Sequence, residues 1–381
     1  MANERRRAAH ISGWGRYVPT QVLTNEELSR MVDTSEEWIR QRTGILERRV
    51  AGSGETTASM SLRAAQAALD VAELDPRKVE LIIVATVTPD YAFPSTACLV
   101  QDALGARRAG AFDLSAGCSG FVYGLSVAAG LIEAGQYDNA VVIGAETLSR
   151  ITDWSDRNTC VLFGDGAGAL VLQANGARGG VLGSVLRADG SGGHLLKLPA
   201  GGSVQPATSE TVNQRQHYIH MDGREVFRFA TRVLPEATRQ VVELVGLKVE
   251  DIALFVPHQA NDRIIQNAVQ ALGIPPDRVF TNLARYGNTS SASVPMALAE
   301  AIDEGRVQQG DLVVCVAFGA GLAWAATAIE WSLPLPAPKP PRWRIYWRWM
   351  LYHLARIQSW WRRLWRRAGA WLRRLGEGED E

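Results

Sequence analysis

The stretch GAFDLSAGCSGFVYGLSVAAGLIEAG (110–135) decides the fold, because it places a short apolar strand directly before a long helical pattern. We predict a strand over its first six residues and a helix from Cys118 to about Gly135. LIIVATV (81–87) precedes this unit and NAVVIGAET (139–147) follows it, and both are β-branched runs typical of buried strands. Strands that alternate with helices in this way predict βαβ units in sheets covered on both faces.

The same alternation recurs in the second part of the chain. Its segments are the strand IALFVPH (252–258), the helix RIIQNAVQALG (263–273), the helix SASVPMALAEAIDEG (291–305) and the strand LVVCVAFGAG (312–321). No sequence identity between the two parts is visible, so an internal duplication is inferred from element order alone. We predict one half over residues 1–177 and the other over residues 178–332.

Length and composition are those of a globular protein with two core-forming units or one large duplicated domain. Of the 381 residues, 46% are apolar and 21% are charged, and no uncharged apolar run of about 20 residues is present to span a bilayer. The N-terminus, MANERRR, has no apolar stretch behind it, so no signal peptide is expected. The four cysteines form no CxxC pair, which argues against a zinc site or a disulfide framework and favours a reducing cytoplasm.

The neutral net charge conceals a basic tail on an acidic body. From residue 331 onward the sequence has Lys339 and ten arginines against four acidic residues, a net charge of +7, so the preceding residues carry −7. The five prolines of LPLPAPKPPR (333–342) predict a stiff, extended linker that ends the body. The last six residues, 376–381, form an acidic end.

Residues 343–375 are predicted to form an amphipathic helix with an unbroken apolar stripe. Apolar residues recur at alternating spacings of four and three, at Trp343, Trp347, Met350, Leu354, Ile357, Trp361, Leu364, Ala368, Trp371 and Leu375. The segment could lie on a membrane surface, bind the groove of a partner, form a coiled coil between subunits, or be a weakly ordered extension without a specific role. We favour a membrane surface or another anionic partner, with the linker holding the body off that surface, because Trp N–H groups suit an interface better than a coiled-coil core.

Three residues far apart in the sequence carry the side chains that acyl transfer through a thioester needs. Cys118 starts a helix, where the helix dipole favours a thiolate. His258 in VPHQAN (256–261) and Asn288 in RYGNTSSAS (285–293) are polar groups able to polarise a carbonyl. Each is weak evidence alone, since a buried cysteine is usually a core residue and an Asn beside Gly is often a turn residue.

Taken together, the motifs resemble those of the thiolase-like condensing enzymes, and within them the β-ketoacyl-[acyl-carrier-protein] synthase III family. The resemblance spans about residues 8–332. It is carried by VDTSEEWIRQRTGI (32–45), AFPSTA (92–97), the Cys118 segment, DRNTCVLFGDGAGA (156–169), HQAN (258–261), GNTSSASVP (287–295) and FGAGLAW (318–324). It implies a five-layered αβαβα fold built from two duplicated halves, and the C-terminal helix lies outside the family pattern.

The resemblance also implies catalytic roles. Cys118 is expected to be acylated by an acyl-CoA, and His258 and Asn288 to hydrogen-bond to the thioester oxygen of malonyl-[acyl-carrier protein] while it loses CO2. The backbone N–H groups of Cys118 and Ala320 match the family's oxyanion hole. Many members have Gly at the second of these positions, and Ala is compatible there if its φ permits.

Further matches concern substrates and partners. The positions implied to bind coenzyme A or the acyl chain are Thr34, Trp38, Arg42, Phe93, Arg157 and Asn261. Trp38 and Arg157 match a pair that sandwiches the adenine, Asn261 matches a residue that bonds the pantetheine arm or an ordered water, and Phe93 matches a channel residue lent across a homodimer.

A basic stripe is the candidate docking site for the carrier protein. Arg224, Arg228 and Arg232 are four residues apart on a predicted helix, and Arg263 matches a basic position after HQAN. The stripe is either a solvated face or a surface for an acidic carrier protein. Gln270 and Ala271 stand where some family members have lysines, so the family's basic patch is only partly kept.

The implied activity is decarboxylative Claisen condensation of an acyl-CoA primer with malonyl-[acyl-carrier protein]. It gives a 3-oxoacyl-[acyl-carrier protein] and initiates fatty acid biosynthesis. We expect a cytoplasmic homodimer with no metal, no cofactor beyond the coenzyme A thioester substrate, and no nucleic-acid partner. The alternative is a condensing enzyme of secondary metabolism, or an acyltransferase that uses Cys118 with another acceptor. A non-catalytic scaffold is a third hypothesis, disfavoured because it has no need of all three polar residues.

Overall fold

The computed structural model describes residues 7–176, 178–333 and 342–376. The strands are β1 (Ala8–Tyr17), β2 (Gln21–Thr24), β3 (Glu47–Val50), β4 (Leu81–Ala85), β5 (Gly110–Leu114), β6 (Asn139–Glu146), β7 (Gly166–Asn175), β8 (Gly180–Ala188), β9 (Leu196–Lys197), β10 (His220–Met221), β11 (Ile252–Pro257), β12 (Leu312–Gly319) and β13 (Ala323–Glu330). The helices are α1 (Asn25–Ser29), α2 (Glu36–Thr43), α3 (Thr57–Val71), α4 (Thr96–Leu104), α5 (Gly120–Glu133), α6 (Arg157–Cys160), α7 (Ser209–Asn213), α8 (Gly223–Leu244), α9 (Asp262–Leu272), α10 (Leu283–Tyr286), α11 (Ser293–Asp303) and α12 (Arg342–Gly376).

The two main sheets have the same strand order and directions. The first runs β1-β7-β6-β4-β5, with its first two pairings antiparallel and its last two parallel. The second runs β8-β13-β12-β11 with the corresponding directions. Where a fifth strand would follow β11, a single parallel bridge joins Phe255 to Val279. The repeated topology adds a structural basis to a duplication inferred from element order.

Three apolar clusters hold the helices and the two sheets together as five layers. Phe121 and Leu125 of α5 pack with Val294 and Leu298 of α11 between the two sheets. The helices α3 and α4 cover the outer face of the first sheet, and α8 and α9 cover the outer face of the second. The αβαβα fold implied by the sequence is therefore confirmed.

Three strands of the two main sheets were not predicted, because their sequences lack continuous β-branched runs. β1 (AAHISGWGRY) and β13 (AWAATAIE) are rich in small or polar residues, and β8 follows a glycine pair. The start of the helix at Cys118 was also wrong by two residues. α5 begins at Gly120 with Ser119 as its N-cap, so Cys118 precedes the helix.

The C-terminal helix α12 lies against the body through its polar and small residues. Arg348 donates to the carbonyl oxygen of Leu69 at 2.8 Å, and Tyr352 is buried in the apolar cluster under α3 and α4. Ala355 packs on Gly105, where an added Cβ would come within 2.7 Å of the Ala355 Cβ. The described part of α12 therefore packs on the body, which differs from the prediction of a linker that holds the body off a surface bound by the tail.

Parts of the predicted tail lie outside the described residues. They include 334–341 of the linker, 377–381 of the acidic end, and the side chains of Trp343, Ala368, Trp371 and Leu375. Within the described ranges, no helix combines the length and apolar character needed to cross a membrane.

Candidate active site

A cleft of about 1390 Å³ brings the three predicted catalytic residues together. Cys118 comes from the loop between β5 and α5, His258 follows β11, and Asn288 lies between α10 and α11. The first half of the chain thus contributes the thiol and the second half contributes the two polar groups. Of the four cysteines, all of them described, only Cys118 lines this cleft.

Two glycines let the loops carrying Cys118 and Ala320 approach closely. A Cβ at Gly319 would lie 2.3 Å from the backbone nitrogen of Cys118, and one at Gly117 would lie 2.6 Å from that of Ala320. Gly117 also has a φ of +55°. The two N–H groups assigned to the oxyanion hole therefore belong to adjacent backbone segments. Ala320 is not among the described non-glycine residues with positive φ, so Ala is sterically compatible there.

The surroundings of the Cys118 thiol oppose its ionisation. Burial raises the pKa of Cys118 to about 12, and the charge of Glu146 raises that pKa further, while a hydrogen bond with Ser290 lowers it. This differs from the expectation that the helix dipole favours a thiolate, because desolvation outweighs the dipole of a helix that begins two residues later. The thiol must lose its proton as it attacks.

The His258 imidazole is neutral. Burial lowers the pKa of His258 to about 3, since the charged form would lie in the protein interior. Its Nδ1 lies 2.6 Å from the Ser293 hydroxyl, and its ring packs edge-on against Phe318 with centroids 5.2 Å apart. When Ser293 donates to Nδ1, the proton is on Nε2, which is the tautomer that donates a hydrogen bond to a substrate oxygen.

Asn288 is held by backbone and side-chain contacts. Its N–H donates to the Leu162 carbonyl at 2.8 Å, and its own carbonyl accepts from the Gly164 N–H at 3.0 Å. The side-chain Oδ1 accepts from the Ser290 N–H at 2.8 Å. With Oδ1 engaged in this way, Nδ2 is the end of the side chain that donates.

Glu146 is a buried carboxylate at this site that sequence reasoning missed. Its side chain is fully buried at the end of β6 and accepts from the hydroxyls of Thr88 at 2.6 Å, Ser291 at 2.8 Å and Ser290 at 3.0 Å. Burial raises the pKa of Glu146, and these donors lower it. Glu146 therefore ties β6 of the first half to the segment that follows Asn288. The only sequence signal was an acidic residue that ends an apolar strand.

Trp38 and Arg157, the pair predicted to sandwich the adenine, contact each other directly. The Arg157 guanidinium lies 4.3 Å from the centre of the Trp38 ring and donates to the Asp33 carbonyl at 3.0 Å. A base between the two groups would need stacking distances of about 3.5–4 Å on each side, so Arg157 must move for the sandwich to form. Thr34 follows Asp33 in sequence and is not among the residues lining the cleft, and its buried hydroxyl has no hydrogen-bond partner among the described atoms.

Asn261 and Arg42 both line the cleft and contact each other. Asn261 is the N-cap of α9, with its Oδ1 accepting from the Arg263 N–H at 2.9 Å and its Nδ2 donating to the Arg42 carbonyl at 3.1 Å. This capping contact fixes the side chain of Asn261 in the cleft. The role of Asn261 toward the pantetheine arm stays a prediction.

Phe93 lies outside this cleft and is 87% exposed. Such exposure is unusual for a large apolar side chain in a single chain. The structure contains one chain, so the expectation that Phe93 serves a partner's channel stays a prediction.

Of the four arginines predicted to dock a carrier protein, three line the cleft and one does not. Arg224, Arg228 and Arg263 line the cleft, whereas Arg232 is exposed on the same helix farther along. Arg228 pairs with Glu225 at 2.8 Å, which reduces its free charge. Lys197 on β9 also lines the cleft and was missed, because a two-residue strand leaves no periodic signal.

The chain is similar to proteins of one family over most of its length. Two family models match, for the 3-oxoacyl-[acyl-carrier-protein] synthase III at residues 112–190 and for its C-terminal part at residues 242–331. The chain is 59% identical over 326 residues to the β-ketoacyl-[acyl-carrier-protein] synthase III of Symbiobacterium thermophilum, covering 86% of this chain and 99% of that protein.

Solved structures are similar over the same part of the chain. The 3-oxoacyl-[acyl-carrier-protein] synthase III of Aquifex aeolicus has 48% identity and a TM-score of 0.79, with 84% of this chain and 99% of that chain covered. The priming β-ketosynthase of the R1128 polyketide pathway has 37% identity and a TM-score of 0.81, with coverage of 88% and 99%. The matches leave the C-terminal helix without a counterpart in these proteins.

Proposed function

The chain belongs to the β-ketoacyl-[acyl-carrier-protein] synthase III family, and on this premise we propose that it condenses an acyl-CoA primer with malonyl-[acyl-carrier protein]. The product is a 3-oxoacyl-[acyl-carrier protein], and the reaction initiates fatty acid biosynthesis. The observation that carries the proposal is one cleft holding a thiol, a neutral imidazole and an amide donor at Cys118, His258 and Asn288.

The first half-reaction loads the primer on Cys118. The sulfur forms a bond to the thioester carbon, and the negative charge moves to the oxygen, which the N–H groups of Cys118 and Ala320 stabilise. The carbonyl re-forms as the bond to the coenzyme A sulfur breaks. The proton lost by the Cys118 thiol ends on the departing coenzyme A, so protons and charge balance.

The second half-reaction forms the carbon–carbon bond. Loss of CO2 from the malonyl group leaves an electron pair that becomes an enolate, and hydrogen bonds from His258 Nε2 and Asn288 Nδ2 to the thioester oxygen stabilise it. The enolate carbon attacks the acyl carbon, and the bond to Cys118 breaks. The Cys118 thiolate then takes one proton from solvent, which balances the negative charge of the carboxylate lost as CO2. A neutral His258 suits this role, because it donates a hydrogen bond without needing to be protonated.

We propose that the protein works as a homodimer with an acidic carrier protein as its second partner. The exposure of Phe93 supports a contribution to a partner's channel. The cations Arg224, Arg263 and Lys197 at the mouth support electrostatic docking of the carrier protein. We further propose a cytoplasmic location with a peripheral membrane contact through residues 343–375.

The test separates the two half-reactions. Cys118→Ala abolishes acylation by acyl-CoA, with Cys98→Ala, at the exposed cysteine, as the matched control that retains it. His258→Ala and Asn288→Ala keep acylation of Cys118 but lose malonyl decarboxylation by about 10²–10³-fold. Intact mass reads acylation, and CO2 release reads decarboxylation. Acylation mapped to a cysteine other than Cys118 contradicts the proposal, as does equal loss of both steps.

A panel of acyl-CoAs and acceptors separates initiation of fatty acid synthesis from the alternative, a secondary-metabolism condensation or acyl transfer. The similarity to a polyketide priming ketosynthase is the observation behind this alternative. Acylated Cys118 that passes its acyl group to an alcohol or amine, and not to malonyl-[acyl-carrier protein], would favour it.

A further inference from the structure

Glu146 is a buried carboxylate to which the two half-reactions described above give no task. It lies at the end of β6 and is fully buried. Its oxygens accept hydrogen bonds from the hydroxyls of Thr86, Thr88, Ser290 and Ser291 and from the N–H of Val87. No cation is among the described groups that set its pKa, so no fixed positive charge holds the carboxylate in its ionised form. A buried carboxyl group without a cationic partner can take up a proton.

The hydroxyl of Ser290 joins this carboxylate to the Cys118 thiol. Its Oγ lies 3.0 Å from Glu146 Oε1 and is also hydrogen-bonded to the thiol. A serine hydroxyl has one proton and two lone pairs, so a lone pair faces the thiol when the proton is donated to Glu146. Ser290 has a φ of +50°, which a residue other than glycine seldom adopts. Strained backbone of this kind is concentrated at functional sites, and here it places one hydroxyl against both groups.

Ser291 allows the carboxyl group to exist in either protonation state. Its Oγ lies 2.8 Å from Glu146 Oε1 and 2.7 Å from the carbonyl oxygen of Ala85. When Glu146 is ionised, the Ser291 hydroxyl donates to the carboxylate. When Glu146 is protonated, the same hydroxyl donates to Ala85 and accepts the proton of the carboxyl group. The new O–H of the carboxyl group is therefore not left without a partner, which would be costly in a buried site.

We propose that Ser290 and Glu146 form a relay that takes the proton of the Cys118 thiol as the sulfur attacks the acyl-CoA. The proposal rests on the acylation of Cys118 put forward above and adds the path of its proton. As the sulfur–carbon bond forms, the S–H bond breaks and its proton moves to Ser290 Oγ. The former Ser290 proton moves to Glu146 Oε1, and the carbonyl electron pair moves to the thioester oxygen. When the bond to the coenzyme A sulfur breaks, the proton returns through Ser290 to that sulfur, and Glu146 is again ionised.

Glu146 suits this task better than His258 does. A thiol with a pKa of about 12 is ionised in about one molecule in 10⁵ at pH 7, so the proton of Cys118 must leave during the attack. Burial lowers the pKa of His258 to about 3, and its Nε2 carries the proton when Ser293 donates to Nδ1. Among the described residues, Glu146 is the one ionisable group whose charge acts on Cys118. The described contacts of Glu146 with the segments after β4 and after Asn288 include no further titratable side chain.

The experiment compares two reactions of Cys118, acylation and alkylation by iodoacetamide, both followed by mass spectrometry. The acyl donor is whichever of acetyl-, isobutyryl- and hexanoyl-CoA acylates the wild-type chain fastest. Alkylation reports the equilibrium population of thiolate, whereas acylation also reports the relay. We expect Glu146→Gln to slow acylation at pH 7 about 10²-fold and yet to speed alkylation, because loss of the Glu146 charge lowers the pKa of Cys118. Ser290→Ala slows both reactions, since it removes the relay and the hydrogen bond to the thiol.

Asp165→Asn is the matched control. Asp165 is also a fully buried carboxylate, and it accepts from the N–H groups of Ala51 and Ser149, but it does not line the cleft. Loss of its charge leaves both reactions of Cys118 unchanged. Glu146→Asp keeps a carboxylate at the relay position, so it regains part of the acylation that Glu146→Gln loses.

The pH profile separates proton acceptance from a structural role. Glu146 accepts a proton only when it is ionised, so acylation of the wild-type chain falls as the pH falls through the pKa of Glu146, which burial raises. Glu146→Gln lacks this fall. Its acylation instead rises about tenfold per pH unit with the thiolate fraction, up to the pKa of Cys118.

Three results would overturn the relay. They are acylation by Glu146→Gln at or above the wild-type rate at pH 7, the same pH profile in both chains, and equal loss of acylation and alkylation in Glu146→Gln, which would assign Glu146 a structural role. A wild-type chain that is not acylated at Cys118 would contradict the proposed function itself. Acylation of Cys118 that does not depend on Glu146 would contradict the relay alone.

Discussion

At the scale of single residues, the site depends on a buried carboxylate as much as on the residues that touch substrate. Glu146 accepts hydrogen bonds from Thr88 of the first half and from Ser290 and Ser291 of the second. Ser290 has a φ of +50° and donates its N–H to Asn288. A buried network of this kind fixes geometry only when its members are satisfied, so changes in Glu146 or Ser290 alter the surroundings of Cys118.

Glu146→Gln and Ser290→Ala should shift the titration of Cys118 in opposite directions. The charge of Glu146 raises the pKa of Cys118, so Glu146→Gln lowers that pKa and speeds alkylation by iodoacetamide at a fixed pH below it. The hydroxyl of Ser290 lowers the pKa, so Ser290→Ala raises it and slows alkylation. Each pKa unit changes the rate about tenfold. Alkylation of the Cys118 peptide is followed by mass spectrometry across pH, and shifts of the same sign would contradict the assignment.

The closed pair of Trp38 and Arg157 predicts unequal effects on acyl-CoA binding. Trp38→Ala removes a stacking surface worth about 1–3 kcal/mol and raises KM for acyl-CoA. Arg157→Ala costs less, because Arg157 must leave its own contact with Trp38 before a base can stack. Steady-state kinetics check the order, with an N-acetylcysteamine thioester, which lacks the nucleotide, as control. An equal effect on that short thioester would show that neither residue binds the adenine.

At the scale of single residues, the sequence predicted those catalytic side chains that lie within a recognisable motif. Cys118, His258 and Asn288 lie in separate motifs, and the structure brings them to one cleft. Glu146 and Ser293 escaped notice because their roles depend on which strand ends beside which loop. The raised pKa of Cys118 could not be predicted either, since desolvation depends on neighbours that periodicity does not specify.

At the scale of elements, α12 shows that an amphipathic pattern predicts the two faces of a helix but not which face packs on the body. The stripe containing Trp347 and Trp361 is where the pattern predicts it, and it faces outward. The carboxylates Asp70 and Asp102 at the ends of α3 and α4 select the arginine side of the helix instead. The sequence of a helix specifies two faces, and the surface it meets decides which one packs.

Loss of one anchor should loosen α12 without affecting catalysis. Asp102→Asn weakens the contacts with Arg362 and Ser359, which are partly exposed, by about 0.5–1 kcal/mol. Amide hydrogen exchange over residues 352–366 should then rise by about twofold to fivefold. Asp138→Asn, which removes an exposed ion pair with Arg7, is the matched control and leaves this exchange unchanged. Unchanged exchange in Asp102→Asn would remove the evidence for the anchor.

At the scale of the whole molecule, the body is the part of the chain shared with relatives, and α12 lies beyond it. The alignment with the Symbiobacterium protein covers 99% of that relative within 326 residues of this chain. The helix nevertheless buries Tyr352 and Ala355 against the body, so the added segment contributes to packing.

Truncation after residue 333 should therefore preserve condensation and reduce stability slightly. The cleft is formed by body residues, so kcat and KM stay unchanged. Exposure of the surface under Tyr352 lowers Tm by about 2–4 °C. Differential scanning fluorimetry and the condensation assay check the two parts. A truncated chain that folds but no longer condenses acyl-CoA would assign α12 a role in the cleft.

The matching strand orders of the two sheets have a consequence for the ancestry of the protein. A chain of one half, with one sheet and its covering helices, could bury its inner helix only against a second copy of itself. Such an ancestral pair would have held two equivalent clefts. If the present chain arose by joining two such copies, each half would be free to keep a different share of the chemistry. The present cleft has that arrangement, with Cys118 from one half and His258 and Asn288 from the other.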